Sequence, residues 1–196
     1  MDARRAGDEI VAQILAWAEA RQSAPARVVG DTAHFVEWAH YPQPDAIDPT
    51  SRWRFYYHAH PESQRLRREH GHFHIFVPAP PEPTAETAGG FSHLVALSVD
   101  AQGLPLRLFT TNRWVTDEVW QPASAMIRYL DSPALHDAAP EDVARWLNHI
   151  VIRYAGEIEA LLVARDIRMA AAAHRHPHAL EDHRLRIPSQ RAIRLT

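Results

Sequence analysis

Residues 53–77 read WRFYYHAHPESQRLRREHGHFHIFV, and the order of side chains along them decides the fold. Two runs rich in aromatic and β-branched residues flank a polar loop that carries Pro61 and a charge cluster. That is the pattern of a hairpin whose loop is longer than the two-residue kind. Successive side chains of a strand point to opposite faces. In the first run Arg54, Tyr56, His58 and His60 share one face, with Trp53, Phe55, Tyr57 and Ala59 on the other. In the second run His70, His72, His74 and Phe76 fall together, opposite Gly71, Phe73, Ile75 and Val77.

Antiparallel pairing with His60 against His70 sets His58 against His72 and Tyr56 against His74. Directly opposed Cβ atoms lie about 4.5–5.5 Å apart, and residues two apart on one strand roughly 6.6–6.8 Å. Imidazoles on such a lattice converge on one ion with bonds of about 2.0–2.1 Å. A slip of one residue would send one strand's rings to the far side, so register is the hinge of the argument. The pattern predicts a metal site with His58, His60, His72 and His74 as preferred ligands. His70 is an alternate or supporting group, and a carboxylate or water completes the set. Zn, Fe, Mn and Cu all suit imidazole ligands with an open position. Two other readings fit the same residues. The rings can be hydrogen-bonded in a polar sheet face of a chain that has 14 histidines in 196 residues. They can also line a metal-free module in which Arg65, Arg67 and Arg68 help collect an anionic or aromatic ligand.

Composition narrows the chemistry. A hydrophobic content of 46% with six Trp and six Phe is ample for a core, and the length suits one domain, 1–196. Within it we expect an N-terminal helix and loop (1–50), a histidine-rich sheet (51–111), helices (112–172) and a tail with an edge strand (173–196). A net charge of −3 argues against a surface built for nucleic acid. All 21 basic residues are Arg, which excludes Schiff-base and lysine general-base chemistry. There is no Cys, so neither disulfides nor thiolate ligands or nucleophiles arise. No long apolar run and no signal-peptide core at MDARRAGDEI leads to the expectation of a cytoplasmic protein without a membrane contact.

Outward from the hairpin, residues 6–21 read as an amphipathic helix ended by Pro25. The segment 34–50 is turn-rich and contains three prolines. His40, Tyr41, Asp45 and Asp48 arrive there just before the first histidine run, either as a ligand or base or, for the aspartates, as turn-formers. Past a proline-rich loop, FSHLVALSV and LPLRLFTT form a second hairpin around DAQG. By parity His93 joins Val95, Leu97 and Val99 at the edge of the core. Asn112, Arg113, Asp117 and Glu118 then lie where a strand gives way to a helix, a usual place for working side chains. Arg113 can clamp an anion and Glu118 or Asp117 can serve as ligand or base; alternatively Thr116 caps a helix with the acids in its first turn. A short helix over 122–130 follows. From Pro140 an apolar stripe runs to about Met169 as one long helix, in which Gly156 would allow close packing. His174, His176, His178 and His183 read as solvated surface, and LRIPSQRAIRL as a closing edge strand.

HGHFHIF resembles the His-x-His-x-His pattern of histidine-triad nucleotide hydrolases, which would make His72 the nucleophile and His70 and His74 its partners. That likeness covers one strand, RLRRE stands where the family has a segment rich in Gly and Ser/Thr, and HAH is left unexplained. HYPQPDAID, YYHAH, HGHFHIF, SHLVALSVD and LFTTNRWVTDE, in this order and spacing, resemble an uncharacterised family of bacterial proteins known only as a domain of unknown function. That resemblance covers most of the chain and implies no activity.

The expectation is therefore an α+β fold: an antiparallel meander of four to five strands, helices packed on one face, a long C-terminal helix, and a histidine-lined cleft on the other face. The cleft would hold a divalent transition metal and a small-molecule ligand, with hydrolase or oxygenase chemistry in view. Tyr56, Arg54 and Arg113 would orient substrate, with Glu118 a candidate base. The alternatives are the metal-free module and a structural protein with no catalytic site.

Overall fold

The computed structural model describes residues 1–30, 35–80 and 90–195; His34 and most of the proline-rich loop lie outside them. Its centre is one six-stranded antiparallel sheet in which strand order follows chain order. The strands are β1 (Tyr41–Ile47), β2 (Arg54–His58), β3 (Gly71–Pro78), β4 (Phe91–Val99), β5 (Pro105–Thr110) and β6 (Ser189–Ala192). The α+β class and the meander are as expected, with one strand more. β1 is the addition, formed by the segment whose prolines suggest a loop. It is an edge strand paired only with β2, and an edge is where a residue lacking an N–H is tolerated.

The β2–β3 ladder sets Tyr56 against His74 and His58 against His72, the register the alternation requires. It ends there, so His60 and His70 lie beyond the paired residues. Gly71 shows why this register is tight. A Cβ at that position would fall 2.6 Å from the His58 carbonyl oxygen and into the Tyr57 hydroxyl.

Phe55, Tyr57, Phe73, Ile75, Leu97 and Leu108 form the apolar face and are buried. Against it pack α1 (Ala3–Glu19), α5 (Glu141–Arg153) and α6 (Ala155–Ala173) through Ile10, Trp17, Trp146, Leu147, Ile150 and Leu162. Trp146 meets the Phe73 ring edge-on at 5.9 Å and Trp17 at 5.7 Å. Asp2 caps α1 by accepting from the Arg5 N–H. Pro25, rather than simply ending α1, opens a second helix, α2 (Ala24–Val29), capped by Ser23.

The long C-terminal helix is two helices, broken at Tyr154 (φ −112°, ψ 24°), whose hydroxyl donates to the Arg194 carbonyl. Gly156 does not serve close packing: a Cβ there would meet open space. At the end of β5, Asn112 rather than Thr116 caps the short helix α3 (Arg113–Thr116), and Asp117 closes it in the left-handed conformation. Glu118 thus follows a helix instead of opening one. The helix read over 122–130 is α4 (Ala123–Met126) continued by a 3-10 turn. No helix among the described residues is long and apolar enough to cross a membrane.

Candidate metal centre

On the opposite face of the sheet the ladders line up two rows of side chains. One row runs His58, His72, Ser98, Arg107; the other runs Tyr56, His74, Ala96, Phe109. Small residues on β4, Ala96 and Ser98, leave the depth that the rings of β3 occupy. The His58, His72 and His74 rings stand 4.5–5.1 Å apart by centroid, and each offers a nitrogen within 4.8 Å of the others. All three are buried.

What surrounds the rings fixes which nitrogen faces inward. Glu69 Oε1 lies 2.9 Å from His72 Nδ1, so an ionised Glu69 holds the proton there and leaves Nε2 as an acceptor turned toward His58. His74 Nδ1 lies 3.0 Å from His93 Nε2, and His93 Nδ1 lies 3.1 Å from Thr111 Oγ1. A chain of donated protons from His74 to His93 to Thr111 likewise frees His74 Nε2, which is buried with no hydrogen-bond partner among the described residues. Ligating histidines are usually oriented in this way by a carboxylate or neutral acceptor on the far nitrogen. His58 Nε2 lies 2.7 Å from His72 Nε2, a hydrogen bond between the two rings. A tetrahedral ion bound at about 2.05 Å by both would hold them roughly 3.3 Å apart, so the rings must part by a little over half an ångström to admit it.

Burial keeps these rings neutral, the form that binds metal. It holds His58 down to about 2, reinforced by His72 and His60, and His93 down to about 3, reinforced by Arg165. His72 and His74 are held well below the usual imidazole range for the same reason. Burial raises the Glu69 carboxyl while Arg107 pulls it back; Arg107 donates to Glu69 Oε2 at 3.3 Å, to Ser98 Oγ at 3.3 Å and to Gln190 Oε1 at 2.6 Å.

The cluster opens on a cavity of about 90 Å³ that also meets His60, Arg107, Phe109, Thr111 and Arg186. His60 stands beside the three rings, 5.0 Å from His58 and 5.1 Å from His72 by centroid, against Trp38 at 4.1 Å. Its Nδ1 is buried and has no partner among the described residues.

Other residues expected at the site are placed elsewhere. His70 turns to the apolar side, where its Nδ1 bonds the Tyr57 hydroxyl and its ring meets Phe35. With the ladder ended at His72, parity no longer governs it. Tyr56 borders the cluster, stacked on His40 at 3.7 Å and 4.9 Å from His74. Arg54 ion-pairs with Asp45 at 3.1 Å and covers the Phe91 ring at 3.6 Å. Arg113 is engaged by Glu181 and does not line the cavity. Glu118 is buried behind His93, accepting its backbone N–H at 2.5 Å, and burial pushes its carboxyl up to about 8. Asp45 bonds His40. Asp48 accepts the N–H groups of Thr50, Ser51, His136 and Asp137, the turn-forming role anticipated for it.

Two supporting residues were not legible as such. Parity puts His93 with the core, but a bulge at Leu94 shifts the β3–β4 register between Ile75 and Phe76 and carries His93 to the histidine side. Glu69 sat in the charge cluster RLRRE with nothing to single it out except its distance of three residues from His72.

No curated protein and no solved structure matches this chain. Nothing in these comparisons supports the histidine-triad likeness, and His70, the first of its three residues, faces away from His72 and His74. The sequence model of one family does match, over residues 4–193. The chain therefore belongs to the family described as a domain of unknown function, DUF6969.

Proposed function

We propose that this protein binds one divalent transition metal through His58, His72 and His74 and uses it to transform a small molecule admitted to the adjoining cavity. The observation that carries this reading is His74 Nε2: a buried acceptor, beside two other imidazole nitrogens, with no hydrogen bond among the described residues. A cluster kept only for stability would satisfy that atom, since buried polar groups are almost always paired. Glu69 and His93 hold His72 and His74 from behind, as the outer partners of metal-binding histidines do.

Three neutral ligands leave the ion its full charge and at least one open position. With Zn the open position would carry a water whose pKa falls to about 7, and hydrolysis follows. With Fe, Mn or Cu it would suit an oxygenase. His60 is the fourth donor for a six-coordinate ion, or the acceptor for a proton from the bound water in a four-coordinate one.

Elemental analysis of protein purified without a His tag tests the proposal and chooses between the chemistries. One equivalent of Zn, Fe, Mn or Cu is expected, lost in the His58→Ala/His72→Ala variant. Protein that arrives without metal and gains no thermal stability from any of the four ions overturns it. Binding at a hundred times the dissociation constant should add about 2.7 kcal/mol.

A further inference from the structure

The cavity beside the histidine cluster holds a cation that the metal reading does not use. Arg186 reaches it from the segment between α6 and β6. Among the described residues no carboxylate pairs with its guanidinium and no side-chain hydrogen bond engages it; it lies over the Trp38 ring at 5.5 Å. The contrast with Arg107, which lines the same cavity, is plain, because Arg107 is committed to Glu69, Ser98 and Gln190. Glu69, the one acid on the wall, is itself taken up by Arg107 and His72. An unpaired guanidinium in a half-buried pocket is a planar fork of donors that fits a carboxylate with two parallel hydrogen bonds.

We propose that the small molecule taken by this site is a short-chain carboxylate, held by Arg186 with its reacting end toward His58, His72 and His74. The volume of about 90 Å³ admits only a small molecule, and two further features favour an organic acid over a phosphate. Phe109, Val115 and Ile187 supply an apolar side for a short carbon chain. Arg186 is the one uncommitted guanidinium on the wall, which matches a single negative charge. This inference takes the metal reading as its starting point, because only then does a substrate need to face the histidines; the Arg186 fork itself is independent of it.

The test is calorimetric titration of the full chain, metal-free and after loading with Zn, using acetate, propionate and pyruvate. Propionamide serves as the uncharged analogue and inorganic phosphate as the competing oxyanion. Carboxylates should bind at least tenfold more tightly than propionamide, and Arg186→Gln should remove that margin while the protein still takes up one equivalent of Zn. Arg186→Lys, which keeps the charge and loses the fork, should recover only part of it. Arg186-dependent carboxylate binding by a protein that takes up no metal would uphold this inference and sink the metal reading. Binding of metal with no carboxylate binding, unchanged affinity in Arg186→Gln, equal binding of propionamide, or tighter binding of phosphate would each overturn the inference and leave the metal reading standing.

Discussion

The two faces of this sheet are made from alternate residues of the same strands and do opposite things. On one, Phe55, Tyr57, Phe73 and Ile75 are sealed beneath α1 and α5. On the other, Tyr56, His58, His72 and His74 interleave with them residue by residue. The apolar face is held by area: a buried aromatic removes a large surface from water and touches many neighbours. The histidine face is held by pairing, with His58, His72 and His74 each placed by one or two hydrogen bonds, and burial of so many imidazoles contributes little to stability. Adjacent positions in one strand should therefore respond to substitution in different currencies.

The sharpest form of that contrast is Phe73 against its neighbours. Phe73→Ala should lower unfolding free energy in urea by about 3–5 kcal/mol, because it opens a cavity beneath Trp146. His74→Gln, one residue along, should cost the metal-free protein much less while abolishing metal uptake. If the two changes destabilise the metal-free protein equally, the division between faces fails.

A second division lies within the polar face and shows in its response to pH. The unfolded chain takes up protons on histidine below about 6.5, whereas folded His58 and His93 stay neutral down to about 2 and about 3. Stability therefore falls on acidification below that point. Glu118 works the other way. Its folded carboxyl holds a proton up to about 8 against an ordinary value of 4.5, so its contribution falls as pH rises through that window. Glu118→Gln should gain on the wild type as pH goes from 5 to 8, by an amount on the order of 3 kcal/mol in urea midpoints followed across pH. A constant difference would place the carboxyl in an ordinary environment.

The smallest expected effect concerns the group behind the site. Glu69→Gln keeps a hydrogen bond to His72 and loses the charge that fixes its proton. Metal affinity by competition with a chelator should drop about 10–100-fold, with no loss of metal stoichiometry. Unchanged affinity would mean that Glu69 only anchors Arg107.

Alternation made the hairpin legible: the period of two in YYHAH and HGHFH is strong enough to set His58 against His72. It failed wherever the ladder itself stopped or slipped. His70 lies two residues past the last β2–β3 pair, and Leu94 adds one residue to β4, so parity misplaces both His70 and His93. β1 was hidden because Pro42 and Pro44 argue against a central strand without excluding an edge. Arg186 was beyond reach for a different reason. The pairing of β6 with β5, and the Asn112 N–H donated to the Arg186 carbonyl, bring this segment to the sheet, and nothing local in RLRIPSQ announces it.

That last pairing separates two jobs along the chain. The groups proposed to grip an ion come from 17 consecutive residues, His58 to His74, while the guanidinium proposed to select what approaches it arrives more than a hundred positions later. Drift in the short connector ahead of β6 can retune appetite without disturbing the anchor, so relatives sharing an identical hairpin need not share a diet.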